Sequence, residues 1–187
     1  MKCFDIISGN SHLGGQDFTE RLAVYCQREI KAQYGQLLVD PKDLQTLRTA
    51  ADSAKIHLTY HDSAQIDIPL KLKDHSRWQH SISVSTFEKI NEDLFKKVIE
   101  PVARILESTN FTPQDIDEIV LVGGSTRIPK VRRVLREYFG KEVNTAIEPE
   151  LAVTIGVSIQ AGIIGGVWPL TVSALEVPTS VKKIHLN

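Results

Sequence analysis

The chain has 187 residues, 42% of them apolar and 24% charged, with 11 glycines and 8 prolines. That balance builds a packed core and excludes a disordered or collagen-like chain. Lysine and arginine number 22 against 23 acidic residues, a net charge of −1. No global basic field exists to hold nucleic acid or an anionic membrane. Two cysteines, Cys3 and Cys26, are too few for a disulfide framework or a structural zinc site.

Cys3 to Ile7 reads as a short strand, too brief for a secretory apolar region, and it ends at Ser8-Gly9-Asn10. A helical period follows Gly14-Gly15, with Phe18, Leu22, Tyr25, Cys26 and Ile30 on one side and Gly35 as its stop. Asp40-Pro41 starts the next helix, an N-cap followed by proline at the first helical position. Its apolar stripe is Leu44, Leu47, Ala51, Ala54 and Leu58.

The period then changes to two. Ala64, Ile66, Ile68, Leu70 and Leu72 alternate with polar residues, and so do Trp78, His80, Ile82 and Val84. Two half-buried antiparallel strands are expected, joined by the polar loop from Lys73 to Arg77. Ser85-Thr86-Phe87-Glu88 has the pattern of a capping box opening a helix that turns Phe87, Ile90, Leu94, Phe95 and Val98 inward. Pro101 restarts or kinks that helix.

Ile119-Val120-Leu121-Val122 is a continuous apolar run, expected as a strand buried on both faces. It leads into Gly123-Gly124-Ser125-Thr126, and Pro129 opens a helix. Glu148-Pro149-Glu150 opens a further helix rich in small residues, expected to pack closely and to stop at Gly165-Gly166. The longest apolar stretch, Leu151 to Leu170, is broken by four glycines and Pro169, so no membrane span is expected. The fold class is α/β with a mixed sheet.

The glycine turn after the apolar run is the strongest chemical signal. Glycine lets a ligand approach the backbone, and Arg127 adds a planar cation that stacks on a base or grips a phosphate. The alternative is an ordinary strand-to-helix turn. Arg48, Asp52, Lys55 and Thr59 form one polar stripe along the second helix. That stripe either lines a cleft or faces solvent. Lys130, Arg132, Arg133 and Arg136 make a basic helix, fit for an acidic partner or simply solvated. No aromatic interleaving supports nucleic-acid binding. His57 and His61 have the spacing of metal ligands, but no further Cys or His accompanies them, so no metal site is expected. No nucleophile and base pair is legible, and no catalytic residue is assigned.

Several stretches carry a resemblance to a known family. They are Ser11-His12-Leu13-Gly14-Gly15-Gln16-Asp17-Phe18, Leu47-Arg48-Thr49-Ala50 with Ala54-Lys55, and Asn91-Glu92-Asp93-Leu94-Phe95. The most specific is Ile119 through Val131, which reads IVLVGGSTRIPKV. These residues resemble the second half of the ATPase domain of the 70-kDa heat-shock chaperones, from about residue 2 to residue 166, in order and without large gaps. The tail from Trp168 to Glu176 is similar to that of a truncated microsomal branch of the family.

The resemblance implies lobe II of the actin-like ATPase fold. Residues of about 14–98 would form an outer subdomain, 1–10 with 101–166 an inner one, and 167–187 a C-terminal segment. It further implies an adenine-nucleotide pocket for ATP or ADP. Gly123, Gly124, Ser125, Arg127 and Ile128 match the adenosine loop, with Arg127 flanking adenine. Asp52, Lys55, Ile56 and Thr59 match the helix positions for ribose and base, Gly15 lies near ribose and phosphates, and Glu150 near the base. Ile56 stands where most members carry an arginine that stacks on adenine.

The family's phosphate loops, catalytic carboxylates and magnesium ligands have no counterpart in this chain. Magnesium is therefore expected only in a complete two-lobed protein, and no ATP hydrolysis from this chain alone. The implied partners are adenine nucleotide and nucleotide-exchange factors or co-chaperones, with no nucleic acid and no membrane insertion. The alternative function is a noncatalytic module that binds such a partner. The family branch implies an endoplasmic-reticulum or microsomal location for a full-length protein. This chain shows no signal peptide and is expected in the cytosol.

Overall fold

The computed structural model describes residues 6–72 and 75–166. Helix α1 (Gly15–Tyr34) buries Phe18, Leu22, Cys26 and Ile30, the face that the 3.6-residue period requires. Its first turn is closed by the Asp17 carboxylate, which accepts from the Gly14 N–H at 2.7 Å. Helix α2 (Pro41–His57) begins as its cap and proline dictate, with Asp40 Oδ1 accepting from the Lys42 N–H at 2.7 Å. Leu47, Ala51, Ala54 and Leu58 are buried and Leu44 is half-buried.

Strands β1 (Ser63–Leu72) and β2 (His75–Ser83) form an antiparallel pair, with Ala64 opposite Ile82, Ile66 opposite His80 and Ile68 opposite Trp78. Alternation puts Ala64, Ile66, Ile68, Leu70, Trp78 and Ile82 inside and Gln65, Asp67 and Gln79 outside. Trp78 lies stacked on His80, ring centroids 5.2 Å apart, and its indole N–H donates to Gln33 on α1 at 3.1 Å. The hairpin thus closes over α1 and α2.

Three short helices follow: α3 (Val84–Ile90), α4 (Glu92–Lys97) and α5 (Glu100–Thr109). Three expectations change here. Val84 opens α3 instead of ending β2, and the cap is Ser83, whose Oγ accepts from the Thr86 N–H. The Ser85 pattern therefore lies inside the first turn. The helix also breaks at buried Asn91, whose side-chain N–H donates to the Phe87 carbonyl, ten residues before Pro101. Phe18 gathers Phe87 and Phe95 at centroid distances of 6.3 and 5.0 Å, which joins α1 to α3 and α4.

Beyond α5, the chain passes through short 3-10 turns at Pro113–Asp115 and Gly124–Arg127 to α6 (Pro129–Phe139) and α7 (Ala152–Ile164). Val131, Leu135 and Phe139 of α6 join the core. Its basic face is largely offset within the chain: Arg133 bonds Glu88 at 2.7 Å, Arg136 bonds Glu142 at 3.3 Å, and Arg132 Nε donates to the Thr126 carbonyl.

The apolar run at 119–122 departs from expectation. Val120 makes a single parallel bridge to Asn144, and both Val120 and Val122 are exposed. No strand among the described residues pairs on its other side, and only the face carrying Leu121 is covered, so the parallel part of a mixed sheet is reduced to that bridge. Helix α7, expected in tight packing, has no buried residue, with Val153 66% and Val157 64% exposed. Ile6 and Ile7 are likewise exposed and not in a strand, while Cys3, Phe4 and Asp5 lie outside the described residues, as does the segment 167–187. No helix of the described residues is long and apolar enough to cross a membrane.

Leu22 is 0% exposed at the middle of α1. Leu22→Ala should cost about 2–5 kcal/mol, read as a lower urea midpoint with an unchanged slope. Val24→Ala, on the open face of the same helix, should cost less than about 1 kcal/mol. Equal midpoints for the two variants would contradict the packing of α1.

Candidate functional site

A cleft of about 1090 Å³ opens between the start of α1, one face of α2 and the loops flanking α6 and α7. Its α2 wall carries the polar stripe: Arg48, Asp52, Lys55 and Thr59 all line it, with Ile56 and Tyr60. The opposite wall is Gly124, Ser125, Arg127, Ile128 and Glu150. Of the positions expected at the site, only Gly123 is not in the lining. It turns the chain just before the wall, with φ at +89° and its N–H bonded to the Pro149 carbonyl.

One hydrogen-bonded knot sets the floor. Lys55 Nζ donates to the Gly15 carbonyl at 3.1 Å, the Thr19 hydroxyl at 2.9 Å and Asp52 Oδ1 at 2.6 Å. All three ammonium protons are thereby used. The Thr19 hydroxyl in turn donates to Asp52 Oδ1 at 2.7 Å. The lysine side chain is 14% exposed and the aspartate 48%, so the cation is buried against oxygens while the anion faces the cleft. Gly15 suits this close approach, because a Cβ there would lie 3.0 Å from Ser125 Oγ and would push that hydroxyl aside by a few tenths of an ångström.

Arg127 organises the other wall. Its Nε donates to Glu150 Oε1 at 3.0 Å and its Nη2 to Glu150 Oε2 at 2.6 Å, a bidentate pair. Nη2 also bonds Glu148, and Nη1 donates to the Tyr60 hydroxyl at 3.3 Å. These bonds lie along the edge of the guanidinium and use none of its flat faces. The two carboxylates raise the arginine pKa, and Arg127 holds the Glu150 carboxyl below its usual range. A Cβ on Gly124 would come within 3.3 Å of Glu150 Oε1, so the second glycine of the turn gives the carboxylate its room.

Sequence reasoning missed Thr19, Tyr60 and Glu148. Thr19 stands one helical turn after Gly15, the signal that places it beside the same floor. Tyr60 and Glu148 gave no such signal, since their partner Arg127 is 67 and 21 residues away. His57 and His61 are stacked at 4.0 Å. Among the described residues no group of three or more His, Cys, Asp or Glu is placed to hold a metal. Cys26 is buried, and burial pushes its thiol up to about 12, so it is protonated at neutral pH.

The Lys55 hydrogen bond, helped by Thr19, holds the Asp52 carboxyl below its ordinary value against an opposing desolvation effect. A carboxyl lowered by folding adds stability that is complete above its unfolded pKa of about 3.9. That stability is lost as pH falls through the lower folded value. The wild type should therefore lose more stability than Asp52→Asn between about pH 4 and pH 2. The difference should stay under about 1 kcal/mol, because Asp52 is half exposed. Urea midpoints against pH measure it, and identical acid limbs would mean that the Asp52–Lys55 bond does not form in solution.

With this geometry in place, comparison with known proteins is direct. A family model described as "Hsp70 protein" matches residues 4–179. The chain is 37% identical to heat shock 70 kDa protein 13 of Bos taurus and of Homo sapiens, over 97% of its own length and 48% of theirs. It is 42% identical to the chaperone protein DnaK of Thermotoga petrophila, over 85% of its length and 28% of that protein's. The chain thus spans about half the length of the curated heat shock 70 kDa protein 13 relatives. Their alignments run over 224 positions, more than the 187 residues of this chain. Those relatives therefore carry inserted positions, whereas the alignment with DnaK runs over 164 positions, close to the share of this chain that it covers. The IVLVGGSTRIPKV stretch lies within the matched residues, and the chain belongs to the 70-kDa heat-shock protein family.

Proposed function

We propose that this chain is lobe II of a chaperone nucleotide-binding domain with the actin-like ATPase fold, and that it supplies the adenosine pocket for ATP and ADP. The observation that carries this reading is the meeting of two sequence-distant walls. The α2 stripe and the Gly124–Arg127 turn enclose one cleft, and a guanidinium is held there flat-faced by carboxylates. Arg127 presents its plane to the base. Asp52 uses Oδ1 for its internal bonds, which leaves Oδ2 to accept from a ribose hydroxyl. Lys55 holds Asp52 in place, Thr59 and Ser125 add polar contacts, and Ile56 covers base or ribose through dispersion alone. Gly15 marks the end of the cleft toward the phosphates.

The division into an outer subdomain (about 14–98) and an inner one (1–10 with 101–166) belongs to the same reading. The uncovered faces of α7, Val120 and Val122 support an inner subdomain that is completed by chain outside the described residues. Exchange factors or co-chaperones would engage the outer subdomain, and the microsomal location of the full-length protein is proposed from its relatives.

Isothermal titration tests the assignment. ADP should bind the wild type, and Arg127→Ala should weaken it about 2- to 30-fold, the value of one guanidinium on an aromatic face. Absence of ADP binding at millimolar concentration would overturn the proposal. With ATP the 187-residue chain should release no phosphate above buffer, because the resemblance gives it no counterpart of the family's phosphate loops and catalytic carboxylates. Turnover that survives repurification would contradict that part.

A further inference from the structure

We infer that Tyr60 is the second wall of the base site, its phenol ring lying against the face of the base opposite Arg127; this rests on the nucleotide reading above. Tyr60 is 66% exposed, and its neighbour in the lining, Ile56, is 55% exposed. Two large apolar side chains therefore stand open to an otherwise polar cleft. An exposed apolar pair inside a polar pocket fits a flat, hydrophobic ligand surface with polar edges, and a purine has that surface. Aromatic rings are the side chains that hold a base by its face.

The contacts of Arg127 say how the ring is released. Its bonds to Glu150 and Glu148 are charge-assisted and hold the guanidinium in place. The bond to Tyr60 is neutral on the acceptor side and, at 3.3 Å, the longest that Arg127 makes. It spans the mouth of the cleft, from the end of α2 to the Gly124–Arg127 turn. A base that enters between the two side chains displaces this one bond, while both carboxylates keep Arg127 in place. The phenol moves about two side-chain torsions, so little conformational freedom is lost when it settles on the base. One residue thus both bonds Arg127 and stacks on the base.

The test compares Tyr60→Ala, Tyr60→Leu and Tyr60→Phe in the 187-residue chain, with ADP titrated calorimetrically. Tyr60→Ala should weaken ADP roughly 5- to 150-fold, the range for losing one base–aromatic stack. Tyr60→Phe should restore most of that loss, and Tyr60→Leu only part of it. Etheno-ADP gives an independent readout: its emission should be quenched on the wild type and on Tyr60→Phe, and recover on Tyr60→Ala. An unchanged ADP affinity in Tyr60→Ala would overturn the inference while leaving the pocket itself intact. So would a Tyr60→Phe variant as weak as Tyr60→Ala, which would assign the effect to the hydroxyl. A wild type that binds no ADP would instead remove the nucleotide reading and this inference with it. The residue is on the surface, so matching circular-dichroism melts of the variants keep the comparison free of folding effects.

Discussion

Everything around the cleft depends on one close approach, the start of α1 against the loop before α6. Gly15 and Ser125 meet there with little space for a Cβ, and the same glycine gives its carbonyl to the Lys55 ammonium. A buried lysine is costly unless its protons are all taken. Here the three acceptors come from α1 and from α2 itself. The two helices are therefore fixed in relative height at this end by charge and by hydrogen-bond geometry, and elsewhere by the apolar faces around Leu22 and Leu47. The floor of the cleft follows from that single constraint.

The two walls use their charges in opposite ways. On the floor a cation is buried and an anion is turned outward, so Asp52 remains ionised and available to a ligand. On the far wall two exposed carboxylates hold a cation by its edge, so Arg127 stays charged and fixed in orientation. The pairs on the far wall contribute little to folding, since ion pairs with exposed carboxylates are worth little in water. The effect of both walls is on geometry: they fix where a donor, an acceptor and a flat cation stand before any ligand arrives.

The packing is uneven along the chain. From α1 to α4 it is continuous, with the hairpin closing one side and the Phe18, Phe87 and Phe95 rings the other. Around α7 and Val120 it is open, and valines and isoleucines that would normally be buried face outward. An apolar helix such as α7 gains its stability from burial and not from propensity. The described residues supply the cleft with two rigid walls but do not cover the back of the second.

Much of this was written in the sequence. Periods of 3.6 and 2 placed α1, α2, β1 and β2, because each has one face to bury and a clear stop signal at its end. The stripe of Arg48, Asp52, Lys55 and Thr59 and the Gly123-Gly124 turn were legible as separate features for the same reason: each depends on neighbours within a few residues. What the sequence could not show was that they face one another, since that depends on how α1 packs against the loop carrying Ser125. The partnership of Arg127 with Tyr60, Glu148 and Glu150 was hidden likewise, as it joins residues far apart in the chain. Local composition misled at Ile119–Val122 and in α7, where an apolar run implies burial but only neighbouring strands and helices can provide it. Side-chain pattern sets which face an element wants to hide; the tertiary structure alone decides what, if anything, covers it.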